Sequence, residues 1–259
     1  MKHFIWIAVI YTACNSTTGT GHPANSAAAA LTPTNEEAGS VACNNLIFFK
    51  PGAEIGSKSY DGTGKELASQ LVKIEEVKNE GGMTVAYVAA SDTINLGKHI
   101  TNLKYNYKCD GQRIYFDLSS MMRSTAQEKS ATFEGSVIEY PINVSAGQTL
   151  PDANGTMTME KGGRKTTMKY HYKDRKVAGK EAVTTPAGSW NCYKISNTIA
   201  VEVDIPGMTE KAKKMMETMR NQMKTTSITW FSPDFGIVKM EMYQNGKLVS
   251  KNEIVSVKR

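Results

Sequence analysis

The sequence lacks the short motifs that mark the common enzyme classes. It contains no G-x-S-x-G nucleophile motif, no H-E-x-x-H zinc motif, no phosphate-binding P-loop and no dinucleotide-binding fingerprint. Histidine is scarce, with four in 259 residues, and neither His99 nor His171 has a carboxylate or a nucleophile at a spacing typical of catalysis. These absences predict a protein that is not an enzyme, with no catalytic residue and no cofactor.

The N-terminal apolar run is too short to cross a membrane as a helix. In "MKHFIWIAVIYTAC", Lys2 precedes an apolar stretch, and Thr12 and Ala13 lead into Cys14. A basic residue before a short apolar core indicates a signal peptide. Small residues directly before a cysteine resemble the lipobox of bacterial lipoproteins, which implies cleavage after residue 13 and lipidation of Cys14. Ordinary secretion with cleavage elsewhere is the alternative.

The segment after Cys14 contains almost no large apolar side chain. Residues 14–42 are rich in Ser, Thr, Ala, Gly and Pro, a composition that cannot bury enough surface to offset the entropy lost on ordering. We predict a flexible tether there, followed by one domain over residues 43–259. The protein is then exported and anchored by lipid in the cell envelope, at the outer membrane, on its periplasmic or surface face.

The cysteines lack the spacing of a metal site. No C-x-x-C motif or histidine-rich cluster occurs, so no structural metal is predicted. With Cys14 lipidated, an odd number of cysteines remains in an oxidising compartment. We predict a disulfide between Cys43 and Cys109, which would pin the start of the domain to a strand end, and a buried thiol at Cys192 in the apolar "WNCYKI".

Turn signals recur through most of the remaining chain. "DGTG", "NEGG", "PAG" and "NG" separate short alternating or β-branched runs, and Gly and Asn supply the positive φ that tight hairpins require. Because no helical segments lie between these runs, antiparallel meanders are indicated rather than βαβ units.

A basic cluster stands out between residues 161 and 180. In "TTMKYHYK", Lys169, His171 and Lys173 alternate with apolar residues and share one strand face. This face, in a chain of formal net charge +6, suits the anionic head groups of a membrane or a polysaccharide. A solvated lysine-rich face is the alternative. The export signal argues against nucleic acid.

One segment departs from the β pattern. "TEKAKKMMETMRNQMK", residues 209–224, follows Pro206 and Gly207, and Thr209 suits the N-cap of a helix. At helical spacing, apolar residues fall on one face and charged residues on the other. We predict one amphipathic helix over about residues 208–224. Its apolar ligand face consists of Met208, Met215, Met216, Met219 and Met223.

The methionine face has three interpretations. Packing of the helix on a concave sheet is the plainest. Methionine is flexible, however, and suits a surface that repacks around varied apolar ligands. A Cu(I) site built from thioethers is the third, but no histidine accompanies these methionines, so we predict no metal.

Several longer stretches resemble a known family. "FFKPGAEIGSKSYDGTGK", "GQTLPDA", "VTTPAGSWNCYKI" and "WFSPDFGIVKMEMYQNGKL" are similar to the TapB-like family of secreted bacterial β-proteins. The resemblance implies an envelope β-domain in which a curved antiparallel sheet wraps a helix, and it implies no catalytic residue.

The fold expected is therefore mainly β. We predict a strongly curved antiparallel sheet or half-open β-barrel with one amphipathic helix packed on its apolar face. The function predicted is a non-catalytic binding module for a lipid or other apolar ligand. The alternative is a structural or protein–protein interaction domain with a closed core. An apolar pocket of roughly 300 Å³ or more would favour the first.

Overall fold

The computed structural model describes residues 43–94, 99–117, 132–135, 137–161, 164–222 and 224–259. The predicted signal peptide, the predicted tether with Cys14, and Met223 lie outside the described residues. The side chains of His99 and Met219 also lie outside them.

Most of the described chain is β-sheet. Two short 3-10 turns, Cys43–Asn45 and Ile47–Phe49, precede the first strand. The strands are β1 Glu54–Asp61, β2 Glu66–Glu80, β3 Met83–Ile94, β4 His99–Cys109, β5 Arg113–Asp117, β6 Thr132–Gly135, β7 Val137–Pro141, β8 Ala153–Lys161, β9 Arg164–Thr185, β10 Gly188–Asp204, β11 Thr225–Ser232, β12 Gly236–Gln244 and β13 Lys247–Lys258. Within the described ranges one α-helix, α1 Glu210–Gln222, connects β10 to β11.

All thirteen strands form one antiparallel sheet. Their order is β6-β8-β9-β10-β11-β12-β13-β1-β2-β3-β4-β5-β7. The strands at the two ends of this order, β6 and β7, are separated in the chain by residue 136 alone. The sheet therefore curves until its edges approach one another, and the predicted curved, barrel-like antiparallel fold with one helix is confirmed.

The sheet has two distinct ends. The turns at residues 81–82, 110–112 and 186–187 lie at one end, together with the disulfide between Cys43 and Cys109. This is the pairing that the sequence predicts, and we call this end the disulfide end. The turns at residues 62–65 and 245–246 and the connection that carries α1 lie at the other, which we call the helix end.

Residues 46–49 fill the interior at the disulfide end, and we call them the N-terminal plug. Leu46, Ile47, Phe48 and Phe49 are at most 6% exposed. The Phe48 ring meets Tyr107 and Phe235 edge-on, with centroids 5.1 and 5.3 Å apart. Gly236 is required here, since a Cβ would come within 2.7 Å of the Phe48 ring.

The N-terminal plug, rather than the methionine helix, packs against the apolar inner face of the sheet at the disulfide end. No residue in the described part of α1 belongs to the buried core. The register explains the difference, because β10 continues through Ala200–Asp204 with β9 as its partner after its pairing with β11 has ended at Ile199. The helix thus starts beyond the point where β10 and β11 stop pairing, whereas the disulfide holds the apolar plug in the interior.

Candidate functional site at the helix end of the sheet

The methionines of the helix region differ in exposure. Met208 and Met216 are half-buried, whereas Met215 is 66% exposed. The interpretation in which packing on the sheet buries the methionine face therefore does not hold at Met215. The helix itself begins as expected, since Thr209 Oγ1 accepts a hydrogen bond from the Ala212 N–H at 3.3 Å.

The basic face on β9 has mixed charge. Lys169 and Lys173 are exposed, while His171 is half-buried. The Nδ1 atom of His171 lies 2.7 Å from Asn154 Oδ1, and its Nε2 atom lies 3.9 Å from Glu202 Oε1. A groove of about 180 Å³ runs beside them, lined by Thr167, Lys169, Glu202, Val203 and Asp204. Its two acidic residues offset the lysines, so the role of Lys169, His171 and Lys173 in binding an anionic surface stays a prediction.

The inner face of the sheet changes character toward the helix end. At the disulfide end it carries the plug and the aromatic core, but farther along it carries small polar side chains that the strand registers bring onto one surface. We call this set the inner polar belt, and it consists of Ser57, Ser59, Gln70, Asp92, Asn197, Thr225, Ser227, Thr229 and Asn252.

Asp92 is the ionisable member of the belt. It is 6% exposed and accepts a hydrogen bond of 2.7 Å from Gln70 Nε2. The register places Ser57, Gln70 and Asp92 side by side on β1, β2 and β3. Burial raises the pKa of the Asp92 carboxyl, and the hydrogen bond from Gln70 opposes this shift in part.

A second polar pair lies on β10 and β11. Ser227 Oγ donates a hydrogen bond of 2.7 Å to Asn197 Oδ1. The Nδ2 atom of Asn197 is buried and has no hydrogen-bond acceptor within the described structure. Buried polar groups are almost always paired, so this amide is the feature of the belt that most needs explanation.

A third polar pair lies on β13 and β1, where Asn252 Nδ2 donates a 3.0 Å hydrogen bond to Ser59 Oγ. Flexible apolar side chains lie beside the belt. Met240 and Met242 on β12 pair in register with Thr229 and Ser227, so their side chains share the inner face. The helix end thus combines hydrogen-bonding groups with thioethers, as an amphipathic ligand would require.

Neither metal binding nor a membrane-spanning helix is indicated in the described chain. Its His, Cys, Asp and Glu side chains form no group of three arranged to hold a metal ion. No helix in the described ranges is long and apolar enough to cross a membrane.

The domain matches a known protein family. Residues 50–254, which include both ends of the sheet, match the family described as DUF3108-like. The chain belongs to the DUF3108-like family. The family match does not carry the TapB-like name, and that closer resemblance stays a prediction. A search of curated proteins found no match.

Solved structures share the fold of this DUF3108-like chain. A "putative lipoprotein" from Parabacteroides distasonis is 21% identical, with a TM-score of 0.62 over 82% of this chain and 99% of that one. A "putative exported protein with YmcC-like fold" from Bacteroides fragilis is 19% identical, with a TM-score of 0.60 over 81% and 97% of the two chains. At these identities the likeness shows a common fold.

Asp92→Asn is expected to stabilise this DUF3108-like domain at neutral pH. Because the folded-state pKa of Asp92 is raised, the native state binds the proton more tightly than the unfolded chain. The stability contributed by this group is therefore lost as the pH rises through the folded-state pKa of Asp92. We expect a higher Tm for the variant at pH 7, and a difference that shrinks below about pH 4.

Asp110→Asn is the matched control. Burial acts to raise the pKa of Asp110, but hydrogen bonds from Tyr115 and from main-chain N–H groups lower it overall. This substitution should therefore lower the Tm at pH 7. Equal pH dependence of the two variants in thermal unfolding would contradict the assignment of Asp92 as a buried, destabilised carboxyl.

Proposed function

We propose that this DUF3108-like protein is a lipid-anchored cell-envelope module that binds a lipid or another ligand with an apolar part at the helix end. The observation that carries the proposal is the contrast between the two ends of one interior. The disulfide end is filled by the N-terminal plug and aromatic rings. The helix end carries the inner polar belt, with methionines on the same face.

A domain that needed only a stable core would gain by placing apolar side chains in the belt. Burying hydrogen-bonding groups costs free energy unless every group is paired. Conflicts between stability and local composition are expected where a site is used. The belt is such a conflict, and the buried Nδ2 atom of Asn197, which lacks an acceptor within the described structure, is its clearest instance.

The methionines supply the adaptable apolar part of the proposed site. Met240 and Met242 line the inner face by register, and Met208 and Met216, just before and within α1, are half-buried. Thioether side chains repack readily around ligands of different shape. The apolar tail of a ligand would lie among these side chains, and α1 would cover it.

A protein-interaction domain is the second candidate. The exposure of Met215, at 66%, favours it, because a large apolar side chain on a charged helix suits a partner surface. In that case the belt would serve only the fold, and the protein would carry no bound small molecule.

Native mass spectrometry of the Cys14→Ala protein, purified from its own host without detergent, tests the choice, because the covalent lipid of the anchored protein would itself add mass. We expect a bound amphiphile as an added mass, lost in Met216→Lys because the new ammonium enters the half-buried face. Met215→Lys, on the exposed side of the same helix, should retain the added mass. Cys14→Ala protein that carries no adduct would favour the interaction domain.

The anchor is tested separately at Cys14. The leader and the lipobox-like residues before Cys14 support export and lipidation, and a similar solved structure carries the name of a putative lipoprotein. We expect Cys14→Ala to move the mature protein from the membrane fraction to the soluble envelope fraction, with Cys192→Ala as the control that stays in membranes. Retention of Cys14→Ala in membranes after a carbonate wash would contradict the lipid anchor.

A further inference from the structure

We infer that the inner polar belt recognises an uncharged, hydroxyl-rich head group, such as the sugar of an amphiphile. The inference rests on the proposed function and specifies the ligand's polar part. It follows from which donors, acceptors and charges the belt contains and from how the sheet arranges them.

The belt is built almost wholly from hydroxyl and amide groups. Hydroxyls both donate and accept hydrogen bonds, and amides present one donor group and one acceptor. No lysine or arginine belongs to the belt, so it offers no counter-charge to a phosphate or sulfate. Its one carboxyl, Asp92, would repel such a group.

The buried cation near the belt, Arg175, is already hydrogen-bonded within the fold. Arg175 is 2% exposed, and its two terminal nitrogens each donate a 2.7 Å hydrogen bond to a main-chain carbonyl, those of Pro151 and Glu139. These bonds hold the guanidinium in the fold rather than leave it available for an anion.

The two groups with the clearest binding capacity lie on opposite walls. Asn197 is on β10 and Asp92 is on β3, and five strands separate them in a sheet whose edges approach each other. Asn197 is 8% exposed and offers an unpaired N–H donor. Asp92 offers carboxyl oxygens as acceptors. Both groups lie on the inner face of the sheet, so the interior at the helix end presents a donor from Asn197 and acceptors from Asp92.

Neighbouring hydroxyls on one head group match this arrangement. Each hydroxyl can accept from the Asn197 amide or donate to the Asp92 carboxyl. A cationic head group would pair with Asp92 but leave the donors of the belt unused. An anionic head group would pair with Asn197 and be repelled by Asp92. A neutral polyol is compatible with both groups, whichever of them it contacts.

The test compares three amphiphiles that share an octyl chain and differ only in the head group. They are octyl glucoside, octyl sulfate and octyltrimethylammonium, each titrated below its critical micelle concentration into the full chain carrying Cys14→Ala. Isothermal titration calorimetry measures the affinities. We expect octyl glucoside to bind about tenfold or more tightly than the two charged amphiphiles, the scale of one well-made buried hydrogen bond.

Paired substitutions locate the effect. Asn197→Leu with Ser227→Val removes both partners of one polar pair, so the fold should keep or gain stability while octyl glucoside affinity falls about tenfold. Thr184→Val with Ser189→Val is the matched control, because it removes an exposed hydroxyl pair, 3.2 Å apart, at the disulfide end. Asp92→Asn, which keeps the side-chain shape, should also weaken octyl glucoside.

The outcomes separate the two proposals. If all three amphiphiles bind equally, or a charged one binds best, the head-group inference is overturned while the binding module stands. Unchanged octyl glucoside affinity in both belt variants would overturn it as well. If none of the three binds, the proposed function itself fails.

Discussion

Arg175→Met is expected to lower the free energy of unfolding by about 3 to 5 kcal/mol. The side chain is among the most buried in the domain, at 2% exposure. It donates hydrogen bonds to the Pro151 and Glu139 carbonyls, both at 2.7 Å, and its guanidinium lies 5.2 Å from the centroid of the Tyr140 ring. Methionine fills much of the same volume but leaves both carbonyls without these donors.

The expected loss is large because Arg175 joins parts of the sheet that are distant in strand order. It projects from β9, Glu139 lies on β7 at one edge, and Pro151 lies two residues before β8 near the other edge. Asp174, immediately before it, has φ of 55°, and the pairing of β9 with β10 is irregular there. A local bulge of this kind turns a side chain inward that regular alternation would place outside.

Urea unfolding followed by tryptophan fluorescence measures the effect. Lys176→Met is the control, because Lys176 is exposed on the same strand and its loss should change stability by less than about 0.5 kcal/mol. Arg175→Lys should be intermediate, since one ammonium does not reproduce the fork of the guanidinium. If Arg175→Met unfolded at the wild-type urea concentration, Arg175 would not be holding the edges together.

Local signals in the sequence were enough to predict the strands and several of their faces. The "NG" turn forms as expected, with positive φ at Asn245 and Gly246. Alternation along β9 is also as predicted, since Tyr170 is buried while Lys169 is exposed. Such features depend on neighbouring residues only, so a single sequence contains the information that they need.

The inner polar belt could not be found in the same way, and β11 shows why. In "TTSITWFS" the residues that face inward include Ser227 and Thr229, whereas Trp230 faces outward. Lys239 lies over the Trp230 ring at 4.5 Å and covers it. A rule that places the most apolar residues inside would assign the inner and outer faces of this strand the wrong way round. Only the pairing with neighbouring strands shows which face of β11 points into the interior.

The position of the helix was beyond local inference for a related reason. An amphipathic pattern shows that a helix has an apolar face, but it does not name the surface that this face meets. The apolar interior at the disulfide end was already filled by Leu46 and Phe49, at 0% and 2% exposure. Competition between two segments for one interior depends on topology, which the periodicity of either segment leaves undetermined.

Loss of the disulfide is expected to destabilise the domain by about 4 kcal/mol. Cys43 and Cys109 are 66 residues apart in sequence, and opening a loop of that length restores considerable entropy to the unfolded chain. The cost in this fold extends to packing. The disulfide fixes the start of the N-terminal plug against β4, so its removal lets Leu46 and Phe48 leave the aromatic core more readily.

Cys43→Ser with Cys109→Ser, compared with wild type in thermal and urea unfolding, measures this contribution. The double variant should match reduced wild-type protein, because both lack the same crosslink. Cys192→Ala is the control for loss of a cysteine as such, since Cys192 is a free, buried thiol whose pKa burial raises to about 12. Its substitution should cost less than the loss of the crosslink. If the double variant and oxidised wild type unfolded together, the plug would be held by its apolar contacts alone. The disulfide would then be dispensable for closing that end of the sheet.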